Sequence, residues 1–168
     1  MSWAEAIARH WTLYLIEGAL LGLFMVSACV SVAIVELAPR RPRWMAPPAM
    51  RRAIVGAAMG LTAIALIYSP LGARSGAHMN PATTLAFWIV GRIEAPDAVM
   101  YAIAQCAGGA LGVAVSAALL GGAIRRPEVA FVVTQPGARG AAWAWVGEFA
   151  ISLIMMTAVL GLGGTRAQ

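Results

Sequence analysis

The sequence predicts an all-α fold: a polytopic membrane helix bundle of four spanning helices plus one half-spanning, re-entrant helix. Three observations predict it. Hydrophobic residues make up 61% of the chain, mean hydropathy is +0.78 and only 11% of residues are charged, whereas a soluble domain carries about 25% charged residues. The apolar residues gather in runs of about 20, the length that crosses a hydrocarbon core about 30 Å thick. Between two such runs lies one polar, Gly-bearing stretch, Ser75-Gly76-Ala77-His78-Met79-Asn80-Pro81-Ala82. At 168 residues the chain has room for about four or five spans with short loops, read as a single membrane domain over 1–168.

The elements follow in order. Residues 1–10 form a short mixed-charge lead-in, with Trp3 and Trp11 at headgroup depth. The first span covers about 11–35, with Glu17 as its one charge. The run is too long and too acidic for a cleaved leader. Residues 36–52 hold four Pro and five Arg and read as an exposed loop. The second span covers about 53–71. Residues 81–91 read as a helix about 16 Å long, half the hydrocarbon thickness. Asn80 suits the N-cap, and Pro81 the first helical position, where its missing N–H is an orphan anyway. Backbone that leaves helical geometry at membrane depth must be packed in protein or line a wet cavity, so this stretch is a candidate permeation site. Pro96 and Asp97 start the third span, about 98–120, and a polar loop leads to the fourth, about 143–162, with Glu148 near its start. Gly18/Gly22, Gly56/Gly60 and Gly108-Gly109-x-x-Gly112 have small-residue spacing that lets helices pack closely.

Composition also excludes. All 12 basic residues are Arg, and they sit in loops rather than along one helical face, which fits a membrane protein and not a nucleic-acid partner. Cys29 and Cys106 are isolated in apolar runs and read as buried spacers. There is no metal-ligand spacing, no paired catalytic carboxylate motif, no nucleophile elbow and no phosphate loop, so no catalytic residue, metal or cofactor is expected and the chain is not read as an enzyme.

Ser75-Gly76-Ala77-His78-x-Asn80-Pro81-Ala82, followed by Thr84-Leu85-Ala86 and Gly91-Arg92-Ile93, resembles the first signature loop of the aquaporin, or major intrinsic protein, family. The resemblance implies a channel for passive passage of water or small neutral solutes in a multi-pass protein of the cell membrane, with the lipid bilayer as its surroundings. It implies a homo-oligomer, a tetramer in the family. In the family two half-helices meet at the membrane midplane. Here Asn80 would donate to a passing water and the carbonyls of Gly76, Ala77 and His78 would accept from it. The dipole of the half-helix would repel cations. His78 is expected to pack and display the loop backbone rather than titrate as a gate. Glu17 and Glu148 would be the buried carboxylates that support such loops. They lie 131 residues apart, an offset that would put a second Asn-Pro-Ala near position 211. The chain is therefore expected to be an incomplete member, its pore completed by a missing half or a second, antiparallel copy. Met59 and Gly60 fall near the family's filter level, and neither is aromatic. One expectation conflicts with the family. Its orientation puts Arg9, Arg74, Arg92 and Arg166 on the cytoplasmic side and the other eight Arg outside, against the positive-inside rule. Two alternatives stand beside the channel: a non-transporting membrane fragment, and a proton-coupled carrier using Glu17 and Glu148.

Overall fold

A computed structural model describes residues 1–164. They are helical, with no strand among the described residues. They form two compact units, 1–133 and the chain from 134 onward. Among the described residues four helices are long and apolar enough to cross a membrane. The chain is therefore an integral membrane protein with the helical bundle the composition predicts.

The first unit holds five α-helices. Helix α1, Trp3–Glu36, is 34 residues or about 51 Å long, well beyond the hydrocarbon thickness. It absorbs the stretch expected to be a lead-in, because Ser2 and Glu5 form a reciprocal capping box. Ser2 Oγ accepts from the Glu5 amide (3.3 Å) and Glu5 accepts from the Ser2 amide (2.9 Å).

Helix α2, Pro48–Ile67, starts earlier than expected, with Pro48 at its first position. Arg51 and Arg52, expected in the preceding loop, thus lie in its first turns. Arg51 closes that loop. Its Nε donates to Glu36 (2.9 Å) and its Nη1 to the carbonyl of Ala46 (2.6 Å). The second span stops at Ile67 rather than running to 71. Pro70 lacks the N–H a helix interior needs, and the chain instead begins helix α3, Pro70–Ser75. Ser69 caps it, accepting from the Gly72 amide (3.0 Å). Helix α4, Pro81–Ile89, is the short helix, two residues shorter than expected. Helix α5, Ala95–Leu120, is followed by 3₁₀ turns at Gly121–Arg125 and Ala130–Val132. The second unit contains α6, Ala141–Gly164.

The principal packing is α1 against α5. A Cβ on Gly108 would overlap the Gly18 carbonyl, and one on Gly112 would overlap that of Gly22. The two backbones touch along a small-residue seam, the close approach that membrane helices use in place of hydrophobic collapse. Gly56 and Gly60 have the same spacing, but an added Cβ at either would meet nothing within 4 Å among the described residues. Cys29 is buried against Ala33, Ile124 and Val129. Cys106, expected to be buried as well, is exposed. Gln105, Gly108 and Gly112 occupy the α5 face that meets α1, and Cys106 is turned off that face.

Candidate functional site

The site starts from one buried carboxylate. Glu17, in mid-α1, has no exposed surface. A carboxylate at that depth must be fully hydrogen-bonded, and this one accepts four times. Oε1 accepts from Ser75 Oγ (2.7 Å) and the His78 amide (3.0 Å). Oε2 accepts from the Met79 amide (2.8 Å) and Gln105 Nε2 (2.8 Å). The loop between α3 and α4 is thus tied to α1 and, through Gln105, to α5.

The loop needs such ties. Gly76 caps α3 at φ +90°, Ala77 and Met79 both lie at φ +47°, and non-glycine residues rarely stay in that region unless neighbours hold them. Ser75 Oγ also accepts from the Ala77 amide (3.2 Å), and Tyr101 of α5 donates to the Ser75 carbonyl (2.8 Å). The His78 ring stacks on Phe87 with centroids 4.6 Å apart and meets the edge of Tyr101. Its Nδ1 lies 3.1 Å from Thr84 Oγ1, and Thr84 is 3.1 Å from Gln105 Nε2. His78 is a packed member of this network. Among the described residues no buried side-chain nitrogen or oxygen lacks a partner.

At the open end of the loop, Asn80 Oδ1 accepts from the Ala82 amide (2.8 Å) and caps α4. Asn80 and Ala82 are exposed and Pro81 is half-buried. No protein donor among the described residues reaches the carbonyls of Gly76, Ala77 or His78. The arrangement leaves loop carbonyls as acceptors beside a helix N-terminus, whose dipole amounts to about half a positive charge. Neutral molecules that both donate and accept are compatible with that pairing, and cations are opposed by it.

A second polar cluster ties the ends of α1 and α5. Asp97 accepts from Tyr14 Oη (2.6 Å) and meets His10 Nδ1 (2.9 Å). Tyr14 in turn packs edge-on against Tyr101, with centroids 5.9 Å apart. Sequence reasoning missed this cluster and the parts Ser75, Tyr101, Thr84 and Gln105 play around Glu17. The available signal was a polar side chain inside an apolar run, which calls for a partner.

Met59 is half-buried and Gly60 exposed in mid-α2. Glu148 is exposed on α6, in the second unit. Among the described residues no cluster of three or more His, Cys, Asp or Glu side chains could hold a metal ion. A cavity of about 200 Å³ between α4 and α5 and a groove of about 600 Å³ along α1 and α5 are lined chiefly by apolar side chains.

Four membrane-length helices and a short helix started from a loop pinned to a buried carboxylate define a polytopic membrane protein of the re-entrant-loop kind. The chain belongs to the major intrinsic protein family, whose model matches residues 6–167. It is similar to Aquaporin Z of Photorhabdus laumondii, 32% identical over 67% of this chain and 52% of that protein. It is also similar to Aquaporin NIP1-3 of Oryza sativa, 41% identical over 61% of this chain and 34% of that protein. A probable aquaporin of Archaeoglobus fulgidus is 47% identical over 34% of this chain and 23% of its own length. The chain thus spans about half or less of the curated relatives it matches. No solved structure matches it.

Proposed function

We propose that this chain is a channel polypeptide for passive passage of water or small neutral solutes across the cell membrane. The observation that carries the reading is the Glu17-held loop, which leaves the Asn80 end of α4 and the carbonyls of Gly76 to His78 open rather than closed by protein donors. The likeness to proteins named as aquaporins supports the same reading.

On this reading Asn80 donates to the oxygen of the passing molecule and the loop carbonyls accept from its hydrogens. The positive end of α4 opposes cations and proton relay. Pro81 and Ala82 set the helix start, and Met59 and Gly60 bound the opening without an aromatic ring. This sequence supplies one half-helix. The facing one comes from a second half of the protein or from an antiparallel copy carrying the same loop. Glu148 then stands in the second repeat where Glu17 stands in the first. The channel works as a homo-oligomer and has no catalytic role.

Stopped-flow light scattering on proteoliposomes of the full chain tests this. The expected result is osmotic shrinkage faster than empty vesicles, lost in Asn80→Asp, which puts a carboxylate at the helix tip. Shrinkage at the rate of lipid alone, both from this chain and from this chain joined to a second half that carries the facing half-helix, overturns the reading, and pH-driven uptake of solute would replace it with a carrier.

A further inference from the structure

One end of the first unit is unusually basic. Arg40, Arg43 and Trp44 lie in the loop after α1, and Arg52 in the first turns of α2; all four are exposed, Trp44 by 60%. Ile124 and Val129 pack on Cys29, Ala33 and Leu37 near the C-terminal end of α1, so the exposed Arg125 and Arg126 share that end. Glu36 does not neutralise it, being engaged by Arg51 (2.9 Å) and Arg41 (3.9 Å). Glu128 reaches Arg126 alone (3.6 Å). Arg40, Arg43 and Arg52 have no carboxylate partner among the described residues. The opposite end differs. There Arg9, Arg74 and Arg92 share the end with Glu5, Glu94 and Asp97, and Asp97 and Glu94 meet His10 and the amino group of Met1.

We propose that the basic end is a docking surface for anionic phospholipid headgroups. Helix α2 has 20 residues, or about 30 Å, which matches the hydrocarbon core and sets Arg52 in its first turns, with the loop before it, at headgroup depth; guanidinium matches phosphate in bidentate geometry. Trp44 between them is the residue type that settles at that depth. The Arg51 bonds to Glu36 and to the loop carbonyl of Ala46 hold the loop in shape, so the three unengaged arginines are presented together.

The full chain, reconstituted in phosphatidylcholine–phosphatidylglycerol vesicles with dibrominated chains on one lipid or the other, tests the proposal. The difference in quenching between wild type and Trp44→Phe isolates Trp44. Brominated phosphatidylglycerol should quench Trp44 with a relative association constant about fivefold above phosphatidylcholine, the effect of about one arginine near such a surface. The preference should vanish in the triple variant Arg40→Gln/Arg43→Gln/Arg52→Gln. Equal quenching by both lipids in the wild type, or a preference that survives the triple variant, overturns the proposal. So does loss of the preference on adding inorganic phosphate but not chloride of equal ionic strength, which identifies a discrete free-anion site. Should the triple variant not fold, the double variant Arg40→Gln/Arg43→Gln, confined to the loop, gives the same readout.

Discussion

Replacing Glu17 by Ala tests the physical core of the site. The substitution removes the acceptor of two backbone amides and of two side chains, Ser75 and Gln105. A hydrogen bond to a charged group contributes about 1.5–3 kcal/mol. Polar pairs between membrane helices average about 0.6 kcal/mol, because the unfolded chain in the bilayer also finds partners. The His78 and Met79 amides lie on non-helical backbone with no second acceptor, so the larger figure applies to them and the smaller to Ser75 and Gln105. The total is about 4–7 kcal/mol. Hydrogen exchange of the reconstituted protein reads this locally, with each 1.4 kcal/mol worth about tenfold. The His78 and Met79 amides should exchange at least about 100-fold faster in Glu17→Ala. Glu17→Gln separates charge from shape. It keeps one oxygen, and Gln105 can turn its amide to accept from the new NH₂. One loop amide is still left facing a donor, at a cost of about 1–3 kcal/mol. If the two amides in Glu17→Ala stay within about threefold of wild-type exchange, the carboxylate does not hold the loop and the account given of its left-handed residues fails.

The remaining predictions use other parts of the structure. Gly108→Ala should destabilise by about 1–3 kcal/mol through overpacking of the α1–α5 seam, whereas Gly60→Ala should stay within about 0.5 kcal/mol; detergent-unfolding midpoints compare the two. Asp97→Ala leaves the buried Tyr14 hydroxyl without its acceptor and should cost about 1–3 kcal/mol in the same assay. Asn80→Ala removes the cap of α4 and should cost about 0.5–2 kcal/mol, read as faster exchange of the Ala82 amide. Arg51→Gln should cost about 1.5–3 kcal/mol, as for a hydrogen bond to a charged group in a partly buried pair, and speed proteolysis within 37–47, since the bonds from that side chain close the loop.

The sequence alone determined the class of the fold. Apolar runs of membrane length, broken by Pro-rich and Arg-rich loops, leave little choice but helices, because only helices satisfy their own backbone in lipid. The start of α4 was equally legible, since Asn80 and Pro81 carry a local capping signal that needs no distant partner. Helix ends were less so. The capping box at Ser2 and Glu5 and the cap at Ser69 moved them by several residues, local hydrogen bonds outweighing the hydropathy profile. What tertiary structure decided was partnership. That Glu17 meets Ser75, His78, Met79 and Gln105, and that Asp97 meets His10 and Tyr14, depends on how α1 and α5 are set along the Gly18–Gly108 and Gly22–Gly112 contacts. The same spacing at Gly56 and Gly60 meets nothing among the described residues. Spacing states that a helix face can be approached closely; which face is approached follows from where the buried carboxylate finds its donors.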